Sequence, residues 1–240
     1  MDTNDILKQT KDTWNRYIYE SGDTIYQQNY IYKSNSDVDH YRMGYWDFPY
    51  FIAMPLTKMG IELPNRALEI GVGTGRLAAC ASNMFEHVCG IDISEEVIKK
   101  ASTYLNKIGC KNIELKVNDG QTIPYPDNNF DLVYSLIVFI HIPSKIIVEK
   151  YIKETYRVLK KGGVARIQLR YAGFLTLKGK DFGEIDENWD LTEGCSWTRL
   201  EARRLFKSEG FKILKINRDY RNAWQRQKSK TQLWITATKP

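Results

Sequence analysis

The chain is poor in the residues that build metal sites and disulfide frameworks. Its 240 residues include four cysteines and three histidines. The cysteines form no Cys-x-x-Cys pair, and they lie at Cys80, Cys89, Cys110 and Cys195. Only His87, beside Cys89, has the spacing of a ligand pair. The sequence therefore predicts no metal site and four reduced thiols.

Long apolar runs and a leader-like start are also missing. No run approaches the ~20 residues that span a bilayer, and MDTNDILKQTKDTWNRY has neither a basic start followed by an apolar core nor a cleavage-like site. These features predict a cytoplasmic protein without a membrane span. With 42% hydrophobic and 27% charged residues, the composition is typical of a globular domain.

Acidic residues are scarce towards the end of the chain. From Trp197 onward Lys and Arg greatly outnumber Asp and Glu, whereas the preceding residues are slightly acidic. A basic region of this kind attracts phosphates, anionic glycans or a membrane surface, or it only keeps the surface solvated. The charge pattern leaves these alternatives open, and it leaves the oligomeric state open as well.

A regular alternation of strand and helix patterns begins at Arg66. The strand candidates are RALEIG, HVCGIDI, IELKVND, FDLVYSLIVFI, VARIQLRY, FKILKINRDY and TQLWITATK. Helices are predicted after the first, second, fourth and fifth of these strands, with RLAACASNMF as the first helix, Ser94 and Thr198 as N-caps and Gly109 as a stop. Paired glycines are predicted to end the helix that begins near Ser144. This order predicts a doubly wound α/β fold with a seven-stranded, mostly parallel sheet and one antiparallel strand.

Two further segments flank this pattern. Residues 1–60 are rich in aromatic side chains and are predicted to form a helical cap or lid, with DFPYFIAMPLTKMG as a helix broken near Pro55. Residues 61–240 form the predicted main domain. Within it, residues 171–196 are an insertion long enough to be a substrate lid. Acidic residues of this insertion, such as Asp181, are candidates to meet a cationic or hydroxylated acceptor, or are simply solvated.

The stretch EIGVGTGRL is the strongest local signal. Gly71, Gly73 and Gly75 follow a predicted strand, as in turns that hold a nucleotide. A dinucleotide fingerprint needs a further glycine at the position of Arg76. Glu69 adds a carboxylate that would repel a pyrophosphate but suits a ligand bearing an ammonium and a sulfonium group. The turn therefore favours a cationic ligand over a dinucleotide.

This stretch resembles motif I of the class I S-adenosylmethionine-dependent methyltransferases, which have a Rossmann-like fold. The resemblance continues in order through CGIDIS, VNDGQTIPYPDNNFDLVYS and RVLKKGGVARIQL, and it covers residues 66–170. It implies S-adenosyl-L-methionine as the cofactor. By this resemblance, Asp92 holds the ribose hydroxyls, Asp119 accepts from the adenine amino group, and Glu69 lies near the methionine amino group. The other implied contacts are Gly71, Gly73, Gly75, Ile93, Gly120 and Ser135.

Each of these residues also has a structural alternative. The glycines would form a tight turn without a ligand, Asp92 would cap a helix, Asp119 would shape a turn, and Glu69 would orient the glycine turn. Tyr41, Arg42 and Trp46 are predicted to close over the cofactor, with Arg42 near the methionine carboxylate or an anionic substrate. Their alternative is simple packing of the N-terminal helices.

The residues after the fourth predicted strand bear on the acceptor. Nucleobase amine methyltransferases commonly carry Asn or Asp followed by Pro-Pro and an aromatic residue, but this chain has Ser135-Leu136-Ile137. No cysteine for a pyrimidine adduct lies there either, which argues against a nucleic-acid substrate. His141 follows, as a general base or as a structural residue.

We therefore predict methyl transfer from S-adenosylmethionine to an O or N atom of a small-molecule or glycan acceptor. Two alternatives stay open at this point. The first is a cofactor-binding module without transferase activity, and the second is a nicotinamide-dependent oxidoreductase.

Overall fold

The computed structural model describes residues 2–21, 37–63, 65–173, 176–181, 194–219 and 232–240. The α-helices are α1 Thr3–Ser21, α2 Asp37–Asp47, α3 Met54–Thr57, α4 Arg76–Ala81, α5 Glu95–Lys107, α6 Lys145–Val158 and α7 Arg199–Ser208. A π-helical turn, Phe48–Ala53, lies between α2 and α3. The strands are β1 Arg66–Ile70, β2 His87–Asp92, β3 Ile113–Val117, β4 Phe130–Ser135, β5 Leu159–Arg170, β6 Lys212–Asp219 and β7 Gln232–Thr238.

The strands form one seven-stranded sheet in the order β3-β2-β1-β4-β5-β7-β6. β1 pairs parallel to β2, β2 to β3, and β4 to β5. β7 pairs antiparallel to both β5 and β6. The predicted fold, a mostly parallel sheet with one antiparallel strand, is therefore confirmed.

By their internal contacts the residues divide into two compact units. One unit is Lys11–Asn118, and the other combines Met1–Thr10 with Asp119–Pro240. The predicted division at residues 60 and 61, and the insertion 171–196 as a lid, stay predictions.

In the unit Lys11–Asn118, the helix ends largely follow the sequence prediction. The Ser94 Oγ accepts from the Val97 N–H at 3.2 Å and caps α5, and Gly109, with φ 81°, follows the end of this helix. α4 is shorter than predicted, because it ends at Ala81 and the Ser82 hydroxyl turns back to donate to the Ala79 carbonyl at 2.8 Å.

The N-terminal helical segment of this unit contributes to its core. Phe48, Ile52 and Leu56 are fully buried, and the Phe48 ring meets the edge of Phe85 at a centroid distance of 5.9 Å. The predicted break near Pro55 is replaced by a π-helical turn that runs directly into α3, with Pro55 in the first turn of α3. A proline is tolerated there because the first turn of a helix needs no donor from it.

In the unit that holds Asp119–Pro240, two predicted bounds are wrong. β4 ends at Ser135, five residues before the apolar run FDLVYSLIVFI does, because Ile137 takes a left-handed conformation that ends the strand. α6 ends at Val158, and the paired glycines that were predicted to stop it lie within β5. The predicted cap of α7 is confirmed, since Thr198 and Glu201 form a reciprocal capping box.

None of the described helices is both long enough and apolar enough to cross a membrane. Within the described ranges, no group of three or more His, Cys, Asp or Glu side chains could hold a metal ion. The cytoplasmic location stays a prediction.

Candidate cofactor site

The glycine turn after β1 uses backbone conformations that favour glycine. Gly71, Gly73 and Gly75 have φ values of 71°, 54° and 89°. At Gly75 an added Cβ would also lie 3.0 Å from the Leu105 side chain of α5. A side chain at Gly75 would therefore be strained by the backbone and crowded by the helix.

Most of the described backbone donors of this turn are already bound inside the protein. The N–H groups of Gly71 and Val72 both donate to the Ile91 carbonyl, at 2.8 and 2.9 Å. The Gly75 N–H donates to the Val72 carbonyl at 3.0 Å, and the Gly73 N–H donates to the Asp92 Oδ2 at 3.1 Å. A pyrophosphate is held by N–H groups that point at the ligand. These four donors instead point inward, which disfavours a dinucleotide.

Asp92, the last residue of β2, is hydrogen-bonded to the glycine turn. The Asp92 Oδ1 accepts from the Ser94 N–H at 3.1 Å, and Oδ2 accepts from Gly73. The Ile93 N–H also contributes a hydrogen bond to this carboxylate. Asp92 therefore has the structural role that the sequence left open, and since a carboxylate has about four lone-pair sites it keeps capacity for further donors.

Burial raises the pKa of Asp92 to about 6, although the hydrogen bonds from Ser94, Gly73 and Ile93 act in the opposite direction. Desolvation disfavours the charged form of a carboxyl group, and here it outweighs three backbone donors. A ligand that donates hydrogen bonds to this group would offset that cost. The hydroxyls of a ribose are donors of this kind.

Glu69 lies within β1 and is 2% exposed. Its position in the strand is opposite Gly90 of β2. Burial suits both roles that the sequence left open, orienting the turn or facing an ammonium group, so the contact with the cofactor stays a prediction.

Arg76, which sequence reasoning used only as a missing glycine, makes a buried ion pair with Asp47 at the end of α2. α2 also approaches the turn closely at Gly44, where an added Cβ would lie 1.9 Å from the Arg76 carbonyl oxygen. α2 thus contacts the start of α4 at two points, through Gly44 and through the Asp47–Arg76 ion pair. The spacing of Asp47 and Arg76 in the sequence gave no signal for this contact.

The three predicted lid residues all lie on α2. Trp46 is 76% exposed, and Arg42 is also exposed. The backbone of Tyr41 is helical, and its side chain lies outside the described residues. Closure of these residues over a cofactor stays a prediction.

Asp119 and Gly120 form a tight turn after β3. The Asp119 Oδ1 accepts from the N–H groups of Gln121 and Thr122 at 2.8 and 2.7 Å, and Oδ2 accepts from the Thr122 hydroxyl at 2.8 Å. Desolvation alone would raise the pKa of Asp119, but these bonds outweigh it and lower the pKa below its ordinary value. Asp119 is therefore a turn former, and its contact with adenine stays a prediction.

Beyond β4, Ser135 is fully buried and Ile137 has φ 62°. The Ile137 N–H donates to the Gln168 Oε1 at 2.9 Å. Three residues further on, the Ile140 carbonyl accepts from Arg170 through Nη2 at 2.7 Å and Nε at 3.2 Å. The His141 N–H donates to the Val138 carbonyl at 2.9 Å, and the residue is half-buried. His141 as a catalytic base stays a prediction.

Both described ends of the predicted insertion are attached to the start of α6. The Lys145 ammonium donates to the Glu201 Oε1 at 2.8 Å and to the Gly179 carbonyl at 3.1 Å. The Lys145 N–H donates to the Asp181 Oδ1 at 3.0 Å, and the Cys195 N–H donates to the Ile142 carbonyl at 2.8 Å. Asp181 thus bonds the start of the helix, and its contact with an acceptor stays a prediction.

The electrostatics of this attachment favour the ionised pair. Desolvation would raise the pKa of Glu201, but hydrogen bonds from Lys145, Thr198 and Gly179 lower it to about 2. The Lys145 ammonium also lies 4.8 Å from the centroid of the Trp197 ring. Lys145 therefore joins α6, α7 and the described ends of the insertion.

Comparison with known proteins identifies a methyltransferase domain within the chain. Residues 68–167 match a family described as a methyltransferase domain. The chain is 29% identical to an uncharacterized methyltransferase, YcgJ, of Bacillus subtilis, over 41% of this chain and 38% of that protein. It is 30% identical to phosphoethanolamine N-methyltransferase 1 of Arabidopsis thaliana, over 60% of this chain and 31% of that protein. The matched region thus spans well under half the length of these two curated relatives.

Solved structures support the fold. A S-adenosylmethionine-dependent methyltransferase from Clostridium acetobutylicum aligns with a TM-score of 0.63 and 16% identity, over 94% of this chain and 98% of that chain. The [4+2]-cyclase SpnF aligns with a TM-score of 0.64 and 18% identity, over 78% of this chain and 80% of that chain. At such identities the likeness shows the fold alone.

The sheet order and the glycine turn with its acidic partner define a Rossmann-like domain of the class that binds S-adenosylmethionine. Residues 68–167 match the methyltransferase domain, and the fold is that of solved S-adenosylmethionine-dependent methyltransferases. The resemblance and its cofactor, S-adenosyl-L-methionine, are thereby confirmed at the level of the family.

Proposed function

We propose that this chain transfers the methyl group of S-adenosylmethionine to a nitrogen or oxygen atom of a small-molecule or glycan acceptor. The observation that carries the proposal is the Asp92 carboxylate at the end of β2, held by the Gly73 and Ser94 N–H groups at 3.1 Å each. It stands beside a turn whose described donors mostly point inward. This arrangement presents acceptors rather than donors to a ligand, which suits ribose hydroxyls and not phosphates.

In this proposal, different residues bind different parts of the cofactor. Asp92 accepts from the ribose hydroxyls, the glycine turn gives the ligand close access to the backbone, and Glu69 contributes negative charge. By the resemblance, Asp119 and Gly120 are the candidates for the adenine contact, and Ser135 is a further candidate for a cofactor contact. When bound, S-adenosylmethionine supplies an electrophilic methyl group, and the acceptor atom gains that methyl group and gives up a proton as the sulfonium becomes a thioether.

His141 is our candidate to receive that proton. Its main chain is hydrogen-bonded to Val138, and the preceding Ile140 carbonyl is held by Arg170. A half-buried imidazole can accept a proton near neutral pH. Positioning of the two reactants provides the larger part of the acceleration in reactions of this type.

A nitrogen acceptor has support from the relatives, because the Arabidopsis relative is named as an N-methyltransferase of phosphoethanolamine. The match covers only part of that protein, so this support concerns the acceptor atom and not the whole substrate. Oxygen acceptors, including sugars, are measured in the same transfer assay.

The test combines binding with turnover. Calorimetry should show that the protein binds S-adenosylhomocysteine and does not bind NADH. Methyl transfer from labelled S-adenosylmethionine is then measured on ethanolamine phosphate, ethanolamine, sarcosine and simple sugars. Asp92→Asn should weaken binding and lower transfer, whereas Asp131→Asn, the same change at a carboxylate paired with Lys160 at 2.8 Å, should keep both. Binding of NADH without S-adenosylhomocysteine would contradict the proposal.

A second candidate is a cofactor-binding protein that transfers no methyl group. The fold does not decide between the two candidates, since SpnF, a protein of the same fold, is named as a [4+2]-cyclase. Tight binding of S-adenosylhomocysteine, together with no labelled product from any acceptor, would favour this candidate.

A further inference from the structure

The segment that follows β4 contains a backbone conformation that its side chain disfavours. Among the described residues, Asn128 and Ile137 are the non-glycine residues with positive φ, at 54° and 62°. Asparagine tolerates the left-handed region well, whereas a β-branched side chain clashes with the backbone there. Ile137 is therefore held in this conformation by its surroundings.

Two polar side chains of β5 form hydrogen bonds to the backbone of the segment that contains Ile137. The Gln168 Oε1 accepts from the Ile137 N–H at 2.9 Å, and the Arg170 guanidinium donates twice to the Ile140 carbonyl, at 2.7 and 3.2 Å. Gln168 and Arg170 are two residues apart on the strand, so they share one face of it. We call them the β5 pair, and we call residues 136–142 the post-β4 segment.

The β5 pair is placed where apolar side chains would be less costly. Gln168 is 5% exposed and Arg170 is 8% exposed, and with Arg166 they are the buried polar residues of a strand whose other buried residues are apolar. Burying an amide and a guanidinium costs free energy unless each is hydrogen-bonded. Here both bond to the backbone of a single connection, so they define its path.

The post-β4 segment is also the place where a ligand is expected. It leaves the carboxyl end of a parallel strand, and open α/β sheets bind ligands beyond these ends. It contains His141, and its last residue, Ile142, accepts from the Cys195 N–H at 2.8 Å. The backbone conformation of the post-β4 segment therefore determines the positions of His141 and of the residues that directly follow β4.

We propose that Gln168 is a positioning residue, which together with Arg170 holds the post-β4 segment in the conformation that binds cofactor and acceptor. Gln168 acts through the main chain of Ile137 and does not touch the reacting atoms. The inference rests on the proposed function in one respect, because it takes S-adenosylmethionine as the ligand of the site.

The test uses three variants of the full chain and one matched control. Gln168→Met removes the acceptor at similar volume, and Gln168→Glu keeps it. The double variant Gln168→Met with Ile137→Gly places at position 137 a residue that adopts φ 62° without help. The control is Thr236→Val, which removes a buried hydrogen bond to Arg166, 2.7 Å long, in the same sheet.

We expect Gln168→Met to weaken binding of S-adenosylhomocysteine, measured by calorimetry, by at least about tenfold, as loss of a buried hydrogen bond predicts. Gln168→Glu and the double variant should bind within about threefold of the wild type, and Thr236→Val should bind as the wild type does. Hydrogen exchange of the post-β4 segment should be faster in Gln168→Met alone. Recovery by glycine distinguishes positioning from a general loss of stability, because glycine adds no contact.

The proposal is overturned if Gln168→Met binds S-adenosylhomocysteine like the wild type, if Thr236→Val weakens binding equally, or if glycine fails to restore it. Wild-type protein that does not bind S-adenosylhomocysteine would instead refute the proposed function. In that case hydrogen exchange decides alone, and unchanged exchange of the post-β4 segment in Gln168→Met overturns the positioning role.

Discussion

Asp92→Asn should weaken cofactor binding while it leaves the stability of the ligand-free protein nearly unchanged. Burial raises the pKa of Asp92 to about 6, from the ordinary value of 3.8. This difference corresponds to about 3 kcal/mol of unfavourable free energy for the ionised group at neutral pH. Asparagine removes that cost, but its amide nitrogen would face one of the two N–H donors, Gly73 or Ser94, at a cost of about 1–3 kcal/mol. We expect the free energy of unfolding to change by less than about 2 kcal/mol at pH 7.5.

Binding of S-adenosylhomocysteine responds differently. A carboxylate can accept from both ribose hydroxyls, and hydrogen bonds to a charged group contribute about 1.5–3 kcal/mol each. Losing one of them weakens binding by about 10- to 150-fold at pH 7.5. Calorimetry on the wild type, Asp92→Asn and the control Asp131→Asn measures this loss directly.

The pH dependence gives a second readout. Because the pKa of Asp92 is higher in the folded state than in the unfolded state, its contribution to stability is full below about pH 3.8 and is lost as the pH rises through about 6. Cofactor binding needs the ionised form, so wild-type affinity should fall about tenfold per pH unit well below pH 6. Asp92→Asn should show no such fall. Equal affinities of the two proteins at pH 7.5, or a flat wild-type profile between pH 5 and 8, would refute this account of the site.

Three substitutions test the contacts around the site by urea unfolding. Gly75→Ala should lower the free energy of unfolding by about 2–4 kcal/mol, and the control Gly60→Ala should lower it by only about 1 kcal/mol. Both glycines have positive φ, but of the two only Gly75 faces a packed side chain. Equal losses in the two variants would contradict the packing argument. Arg76→Met should cost about 3 kcal/mol by removing the cation that pairs with the buried Asp47 carboxylate. Hydrogen exchange of α2 should become faster, and unchanged exchange would show that the pair does not hold this helix. Lys145→Met should cost about 3 kcal/mol at pH 7. This last loss should shrink at acidic pH, because the contribution of Glu201 is present above its ordinary pKa of 4.5 and is lost as the pH falls through about 2; a loss independent of pH would exclude the ion pair as its cause.

Periodic apolar patterns and capping residues were enough to predict most of the fold. The strands from Arg66 onward, the cap at Ser94 and the capping box at Thr198 follow from local rules that the structure obeys. The end of β4 could not be predicted, since no residue preference places an isoleucine in the left-handed region. Its cause, Gln168, is distant in the sequence and acts through the folded chain.

The site was predictable in part for the same reason. The glycine turn and Asp92 carry their signal within short motifs, and the structure joins them through the Gly73 N–H. Their contacts with the cofactor stay a prediction. The pair of Arg76 with Asp47 and the contacts of Lys145 link residues that no motif connects. The polar residues Gln168 and Arg170 within the strand VARIQLRY were a visible signal, but their partners became evident only in the structure.

The bond from the Lys145 N–H to the Asp181 carboxylate has a consequence for how this scaffold can be modified. Asp181 caps the start of α6 although it belongs to a different connection, so a shortening that removes Asp181 would uncap the helix. A loop exchange therefore has to retain Gly179, Asp181 and Cys195 as fixed ends.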